Sequence, residues 1–248
     1  MQNKSVWVVI PAAGVGKRMQ AEYPKQYLEI AGKTVLEHTL DCFLGCEDIA
    51  GIVVAVSKED GWWPELSKRF AGFPVFTAQG GKERADTVLN SLDFLTERLK
   101  AAGIEDTATV VLVHDAARPC LSRRDLSLLL AAVDNHAGSG ALLATPVRDT
   151  MKRAESVAGV SSVSHTEERD GLWHALTPQM AALPVIRDAL RKGLNAGLAI
   201  TDEASALEHA GLKPRLLEGE SSNIKITRPA DLALAEFFLQ QRLQEEEE

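Results

Sequence analysis

Short, continuously apolar runs alternate with helix-period segments along most of this chain, and no other feature constrains its fold as strongly. A run that is apolar at every position, rather than at alternate positions, is typical of a strand buried on both faces of a parallel sheet. The predicted strands are residues 6–10, 52–56, 75–77, 110–114 and 141–144. The predicted helices between them are residues 34–44, 62–70, 85–99 and 123–135. Strands that alternate with helices predict an α/β fold, here a Rossmann-like, mostly parallel sheet flanked by helices.

The pattern changes between Pro146 and Trp173, where the residues are small and polar and alternate only weakly. Ala158-Gly159 offers a turn in the middle of this stretch. We therefore predict a protruding β-hairpin arm over about 147–171, with a disordered loop as the alternative. Because an isolated hairpin is only marginally stable in water, the arm is expected to pack on something else, such as a second subunit.

Regular patterns return after the arm. They predict helices over residues 184–193 and 202–209, and strands over 215–218 and 223–227. Pro229 then favours the first turn of a last helix, capped by Thr227 or Arg228 and running to about Leu243. Since no linker-like composition separates two halves, we predict a single domain over 1–248.

Charge and composition exclude several classes of protein. The 248 residues are 45% hydrophobic, which is enough for a sizeable core. The net charge of −8 argues against a nucleic-acid surface, which needs a basic stripe, but it allows a small anionic ligand held by local cations. No run is long enough to cross a bilayer, and the short run 6–10 does not resemble a signal peptide. Three cysteines without metal-ligand spacing indicate free thiols, so we expect a cytoplasmic protein.

A glycine-rich loop follows the first predicted strand. Gly14 and Gly16 let the backbone approach a ligand closely, so that successive N–H groups can form a nest for an anion. Lys17, Arg18 and Lys25 add three cations within nine residues. The loop is neither a Walker A motif, because Arg18 stands where Ser or Thr is required, nor a dinucleotide fingerprint, whose third glycine is replaced. A triphosphate nest and a plain structural turn both remain open at this point.

Other motifs decide between these two. The loop and the following Pro24-Lys25-Gln26-Tyr27 resemble the cytidylyltransferases that act on polyol phosphates. The resemblance covers nearly the whole chain, in order, through the segments 80–84, 113–119, 146–150, 174–179, 201–204 and 223–227. It implies the nucleotide-diphospho-sugar transferase type of fold. It also implies a reaction in which the phosphate of an acceptor attacks the α-phosphorus of CTP and releases pyrophosphate, with Mg²⁺ or another divalent cation as cofactor.

The resemblance also implies roles for individual residues. Arg18 and Lys25 are the implied catalytic residues, because fixed cations stabilise the charge that develops in the transition state. Asp115 ends an apolar run, at the sheet edge where α/β proteins bind ligands, and is the implied Mg²⁺ ligand; helix capping is the alternative. The implied nucleotide-binding residues are Pro11, Ala12, Ala13, Gly14, Gly16, Lys17, Arg18, Lys25, Gly80, Gly81, Arg84, Thr87, Asp115 and Ala116.

The acceptor is expected to meet a second set of residues. These are Asp115, Arg118, Thr150, Arg169, Thr177, Thr201 and Lys225. In the family the arms of two subunits interlock, so the resemblance implies a homodimer in which Thr150 and Arg169 act in the site of the other subunit. For Arg169 a surface ion pair is the alternative, and for Lys225 a solvent-facing position. Thr87 stands where many relatives carry serine, and its hydroxyl is expected to make the same hydrogen bond.

Three functions are compatible with these motifs. Transfer of a cytidylyl group to 2-C-methyl-D-erythritol 4-phosphate, in the non-mevalonate route to isoprenoid precursors, is favoured by the segments 146–152, 172–179 and 201–205. A ribitol-phosphate cytidylyltransferase shares the glycine loop and the segment 113–119. A non-catalytic nucleotide-binding module is disfavoured because Arg18, Lys25 and Asp115 are all present.

Overall fold

The computed structural model describes residues 4–14, 24–157 and 159–247. Its strands are β1 Ser5–Pro11, β2 Glu29–Ile30, β3 Lys33–Thr34, β4 Ile49–Val56, β5 Val75–Gln79, β6 Thr109–Val113, β7 Ala141–Pro146, β8 Lys152–Val157, β9 Val160–Thr166, β10 Trp173–Ala182 and β11 Arg215–Glu218. Its helices are α1 Val35–Asp41, α2 Trp63–Leu66, α3 Arg84–Ala101, α4 Arg123–His136, α5 Leu183–Asn195, α6 Glu203–His209 and α7 Ala230–Glu247.

A mostly parallel sheet forms the centre of the fold, which confirms the predicted class. Seven strands pair in the order β11-β7-β10-β6-β1-β4-β5. β1 is parallel to both β4 and β6, β4 is parallel to β5, and β7 is parallel to β11. β10 is antiparallel to both of its neighbours. The sequence did not predict β10, because its first three residues are exposed and its register is broken between Ala175 and Gln179.

The sheet is buried on both faces, as its continuous apolar strands predict. In β1, Val6, Val8 and Ile10 pack with α1 and α4 on one face. Trp7 and Val9 face the opposite side, where α3 and α5 pack. Alternate side chains of a strand point to opposite faces, so a single strand contributes to two cores. Each fully buried Val, Leu or Ile contributes roughly 1.5–3 kcal/mol, and this burial holds the strand ends that build the site.

Helices begin where the sequence supplies capping side chains. The hydroxyl of Thr34 accepts from the backbone N–H of Glu37, whose carboxylate accepts in return from Thr34. The Ser122 hydroxyl caps α4, and Asp202 forms a capping box with Ser205 at the start of α6. Each cap satisfies a backbone N–H that the first helical turn leaves without a partner, worth about 1 kcal/mol.

The predicted arm contains a two-stranded antiparallel hairpin, β8 paired with β9. Its root is closed by a hydrogen bond from the Val147 N–H to the Leu172 carbonyl, 2.9 Å. Every residue of β9 is exposed, including the apolar Val160 and Val163. The hairpin therefore contributes little to the core, which agrees with its weak hydrophobic pattern.

The strand predicted over 223–227 is wrong. This segment, which we call the strap, pairs with no strand among the described residues. The Ile226 N–H donates to the Ala117 carbonyl at 2.8 Å. The carbonyls of Asn223 and Ile226 accept instead from the side chains of Arg118 and Lys25. The apolar residues that suggested a strand serve a small third core, in which Ile226 is fully buried against α7.

Candidate active site

The carboxyl ends of the central strands meet at one edge of the sheet. Three backbone hydrogen bonds connect the loops that leave this edge. The Ala12 N–H donates to Ala55 at 2.7 Å, the Gly80 N–H to Val56 at 2.8 Å, and the His114 N–H to Val9 at 2.9 Å. Ligands of open α/β sheets bind outside the carboxyl ends of the strands, so this edge is where a site is expected.

A cavity of about 560 Å³ opens at this edge. Many of the predicted site residues line it, namely Pro11, Ala12, Ala13, Gly14, Lys25, Gly81, Arg84, Thr87, Asp115, Ala116 and Lys225. Gln26, Lys82, Glu83 and Ala117 line it as well. Gly80, Arg118 and Thr177 contact these residues without lining the cavity themselves. The predicted Gly16, Lys17 and Arg18 lie outside the described residues.

Asp115 is the centre of the charge arrangement. One carboxylate oxygen, Oδ1, accepts from Arg84 Nε at 3.1 Å. The other, Oδ2, accepts from Arg118 Nε at 3.3 Å and lies 2.8 Å from Lys225 Nζ. Asp115 is only 7% exposed. One buried anion thus holds three cations, brought from three separate segments of the chain.

The environment keeps this carboxylate ionised. Burial favours its neutral form, but the charges of Arg84, Lys225 and Arg118 outweigh burial and hold the pKa of Asp115 well below its usual range. Arg84 also has its pKa raised, against its own burial, by the carboxylates of Glu203 and Asp115. Asp115 and Arg84 therefore stay charged across the physiological pH range.

The second glycine loop is built by close packing. A β-carbon on Gly80 would lie 2.3 Å from the Ala13 β-carbon, and one on Gly81 would lie 2.4 Å from that of Asp86. Only glycine fits at either position. The Thr87 hydroxyl accepts from the Gly81 N–H and donates to the Glu83 carbonyl, both at 3.0 Å. The glycines thus let two loops meet at the cavity, and the threonine hydroxyl holds the second loop in place.

Lys25 lies in a single 3-10 turn, Lys25–Tyr27. The next residue, Gln26, is buried and donates from Nε2 to the Ala12 carbonyl at 2.7 Å, which holds the turn against the first loop. Lys25 Nζ donates to the Ile226 carbonyl at 2.8 Å. The strap therefore orients Lys25 and Arg118 through its carbonyls, while its own Lys225 contacts Asp115.

Thr177 and His114 form a buried relay behind Asp115. The Asp115 N–H donates to Thr177 Oγ1 at 3.1 Å, so the hydroxyl is an acceptor there. Its proton must then go to His114 Nδ1, 2.9 Å away, which leaves His114 Nε2–H to donate to the Arg118 carbonyl at 2.9 Å. Burial lowers the pKa of His114 to about 4, in agreement with a neutral ring. The relay fixes the backbone of residues 114–118 under the cavity.

Besides Arg118 and Thr177, three further predicted acceptor-binding residues lie outside the cavity lining. Thr150 and Arg169 are exposed and belong to the arm, where Arg169 donates to the Arg148 carbonyl. Thr201 is exposed just before α6, and its N–H donates to the Ser205 hydroxyl at 3.1 Å. The described chain therefore collects the nucleotide-side residues in one place but leaves part of the acceptor set apart from them.

The donor set of the cavity fits a nucleotide-bound Mg²⁺. Among the described residues no three His, Cys, Asp or Glu lie close enough to hold a metal by themselves. The lining contains two carboxylates, Asp115 and Glu83. Mg²⁺ in nucleotide sites takes one or two carboxylates and completes its shell with phosphate oxygens and waters. Asp115 Oδ1 accepts one hydrogen bond in the described contacts, so it retains a lone pair for such an ion.

Several residues of this site were not predicted from the sequence as site residues. Gln26, Glu203 and Asn223 all lie inside motifs that carried the resemblance, yet none had a predicted role. Each is buried and polar, and each holds another site residue or its loop in place. A polar residue inside a motif but without a ligand-binding role is the feature that could have indicated them, because buried polar groups need partners.

Comparisons with known proteins connect this geometry to a reaction. The family model described as 2-C-methyl-D-erythritol 4-phosphate cytidylyltransferase (IspD) matches residues 6–241. The relative of that name from Alteromonas mediterranea is 50% identical over 242 residues, covering 98% of this chain and 96% of its own. The chain belongs to this family. A relative of the same name from Vibrio vulnificus is 52% identical over 236 residues, 95% of this chain and 94% of its own.

Solved structures agree with this family. A crystal structure of 4-diphosphocytidyl-2C-methyl-D-erythritol synthase superposes with a TM-score of 0.79 at 40% identity, covering 95% of this chain and 98% of that one. The cytidylyltransferase of Francisella tularensis gives a TM-score of 0.76 at 31% identity, covering 94% and 99%. As a member of the IspD family, this chain is a cytidylyltransferase that transfers the cytidylyl group of CTP to 2-C-methyl-D-erythritol 4-phosphate in isoprenoid precursor synthesis.

Proposed function

We propose that cytidylyl transfer to 2-C-methyl-D-erythritol 4-phosphate takes place in the cavity at the carboxyl edge of the sheet. The observation that carries this proposal is the grouping of Arg84, Arg118 and Lys225 around the ionised Asp115, at a cavity that Lys25, Gly14 and Gly81 also line. Both substrates are multiply charged anions. A cluster of fixed cations with one balancing carboxylate is the chemistry needed to hold two such anions together.

The two glycine loops bind the nucleotide. The segment 11–14 and Gly81 line the cavity, and Gly80 packs against Ala13. Close approach of backbone N–H groups suits phosphate oxygens at the first loop and the polar edge of a pyrimidine at the second. Gly16, Lys17 and Arg18 continue the first loop in sequence and complete the phosphate nest in this proposal.

Catalysis needs charge and positioning rather than a base. The attacking group is a phosphate of the acceptor. Because this phosphate is already an anion, no base is needed to deprotonate it. Lys25 and Arg18 stabilise the charge that builds up on the α-phosphate, and Arg118 and Lys225 hold the phosphate of the acceptor. Preorganised cations in a water-poor site typically lower the barrier by several kcal/mol. The strap and Asp115 keep Lys25, Arg118 and Lys225 in place before the substrates arrive.

In this proposal Asp115 would hold Mg²⁺, because a carboxylate oxygen is a ligand that this ion prefers. When bound, the ion neutralises phosphate charge and draws electrons from the reacting phosphorus. The chain's contribution is the carboxylate itself, which the surrounding cations keep ionised. Lys225 is the most exposed of its three partners, with 35% of its side chain accessible, so it is the one that exchanges Asp115 for a phosphate.

The acceptor site is completed by a second copy of this chain. Thr150 and Arg169 are exposed on the arm, and the arm carries exposed Val160 and Val163. A two-stranded hairpin with exposed valines gains stability by packing on another surface. In the proposed homodimer the arms exchange, so that Thr150 and Arg169 of one subunit meet the acceptor held by Thr177, Thr201 and Lys225 of the other.

We also propose a cytoplasmic location. Cys42, Cys46 and Cys120 are free thiols in the structure, as is usual in a reducing compartment. No helix in the described part of the chain is long and apolar enough to cross a membrane.

The acceptor assignment is tested by a competition assay. Purified protein is given CTP and Mg²⁺ with either 2-C-methyl-D-erythritol 4-phosphate or ribitol phosphate, and pyrophosphate release is followed. We expect turnover with the methylerythritol phosphate and at least about 10-fold lower kcat/KM with the ribitol ester, because a pocket built for one polyol leaves polar groups unpaired with another. Faster turnover with ribitol phosphate would contradict the proposal. A chelator should abolish turnover, and excess Mg²⁺ should restore it.

A further inference from the structure

The buried carboxylate of Glu203 has no part in the chemistry described above. It is the first residue of α6 and is only 1% exposed, and it is absent from the residues that line the cavity. Taking a carboxylate out of water costs several kcal/mol unless it is paired with good geometry. An apolar side chain could be buried at this position without that cost. The presence of a carboxylate is therefore explained by the group with which it pairs.

That partner is Arg84, which lines the cavity. Arg84 donates from Nη1 to Glu203 Oε1 at 2.6 Å and from Nη2 to Glu203 Oε2 at 3.0 Å. Two parallel hydrogen bonds between a guanidinium and a carboxylate fix the plane of the guanidinium as well as its distance. The remaining Nε then points at Asp115 Oδ1, 3.1 Å away. Glu203 therefore determines which edge of Arg84 faces Asp115.

The backbone around Glu203 is held by hydrogen bonds between β10 and the start of α6. Gln179 of β10 is buried, and its amide spans the start of α6. It donates from Nε2 to Asp202 at 2.8 Å and accepts from the Ala204 N–H at 2.7 Å. These bonds enclose residue 203 on both sides. Residues of the segments 174–179 and 201–204 thus form the support of Glu203.

We propose that Glu203 is a positioning residue for cytidylyl transfer, which acts by holding Arg84 so that the Asp115 carboxylate keeps its orientation at the cavity. The chain of contacts runs from Gln179 through the backbone N–H of Ala204 to the adjacent Glu203, and from its carboxylate through Arg84 to Asp115. Glu203 does not line the cavity. This proposal rests on the placement of the reaction in that cavity.

A double-mutant cycle tests the proposal. Glu203→Gln, Arg84→Gln and the double variant are compared by kcat/KM for pyrophosphate release, and their folding is checked by circular dichroism. In the otherwise unchanged enzyme, Glu203→Gln is expected to lower kcat/KM roughly 10- to 100-fold, the usual effect of losing an outer-shell partner. In the Arg84→Gln background it is expected to change kcat/KM by less than about 2-fold, because residues that act as a unit are non-additive. Exposed Glu208, on the same helix, supplies the control Glu208→Gln, which keeps full activity.

The possible outcomes distinguish a failure of the positioning role of Glu203 from a failure of the proposed active site. Equal fold-losses from Glu203→Gln in both backgrounds, or no loss in either, would overturn the positioning role while leaving the cavity in place. An Arg84→Gln variant with unchanged turnover would instead contradict the proposed site. If Glu203→Gln does not fold, Glu203→Asp takes its place in the same cycle, because it keeps the charge and withdraws the carboxylate by one methylene.

Discussion

At the scale of single residues, charge pairing around Asp115 dominates this molecule. Three cations share one buried carboxylate, and a second buried carboxylate orients one of those cations. Buried ion pairs are a weak source of net stability, because desolvation offsets most of their attraction. The arrangement is therefore better understood as preorganisation for anionic substrates than as a means of stabilising the fold.

His114 leads to a prediction on pH and stability. Its pKa lies at about 4 in the folded protein and at 6.5 in its ordinary state. Between pH 6.5 and pH 4, His114 is protonated in the unfolded chain but stays neutral in the folded protein. The free energy of unfolding therefore falls as pH drops from 6.5 towards 4. The fall from this one group is about 3 kcal/mol. Thermal unfolding of the wild type and of His114→Gln between pH 7 and 4 measures it.

The His114→Gln variant is expected to be less stable at pH 7 but to lose less stability on acidification. Exposed His209 at the end of α6 supplies the matched control, since His209→Gln should keep the wild-type slope. Parallel curves for the wild type and His114→Gln would show that the buried ring accepts a proton in the folded state. The lowered pKa of His114 in the folded protein would then be wrong.

At the scale of elements, the arm is the part whose function depends on another copy of the chain. Its strands are exposed, and its Arg169 contacts the carbonyl of Arg148 within the arm root. If arms exchange in a homodimer, each site combines Lys25 of one subunit with Arg169 of the other. In a dimer of one Lys25→Ala subunit and one Arg169→Ala subunit, both mutations then fall in the same site, and the other site is intact.

Mixing Lys25→Ala with Arg169→Ala subunits should therefore restore activity that neither variant has alone. A random mixture contains half mixed dimers, each with one intact site, so about a quarter of wild-type turnover is expected after subunit exchange. Pyrophosphate release is measured before and after mixing under conditions that allow exchange. Activity that stays at the level of the separate variants would contradict sharing of sites across the dimer.

The sequence predicted those elements whose local pattern and tertiary environment agree. The central strands and long helices follow from continuous apolar runs and 3.6-residue periodicity, and both are confirmed within a few residues. β10 and the strap were not predicted correctly, because tertiary contacts decide their structure. β10 carries Thr177 and Gln179 as polar residues inside a strand, where each serves another element. The strap resembles a strand in sequence, but its carbonyls accept from distant side chains.

The residues of the site also divide into those marked by a local sequence pattern and those whose role depends on tertiary contacts. Glycines, cations and Asp115 stand in recognisable spacing, and the fold brings eleven predicted residues to one cavity. The supporting residues Gln26, Glu203 and Asn223 have no such pattern, since their importance depends on which side chains lie opposite them in space. Residue pairs such as Arg84 and Glu203, 119 positions apart, become visible only in the folded chain.

At the scale of the whole molecule, the fold is a rigid frame that presents charges at one edge of a sheet. Two apolar cores, one on each face, hold β1, β4 and β6 so that their carboxyl ends meet. The strap and α7 close the site from the far end of the sequence, through a third small core. Residues from the beginning, middle and end of the chain thus share one cavity, and its charge geometry is a property of the complete fold.

The central claim is that this cavity performs the transfer and that Lys25 stabilises its transition state. Single-turnover pyrophosphate release by Lys25→Ala, with CTP affinity measured in parallel, tests it most directly. We expect the rate to fall by about 100-fold or more while the Kd for CTP changes by less than about 10-fold, because a contact made mainly in the transition state affects the rate rather than ground-state binding. Lys4→Ala, which removes a lysine from the far end of β1 outside the cavity lining, is the control and should retain the wild-type rate. A Lys25→Ala enzyme that releases pyrophosphate at the wild-type rate would contradict the account.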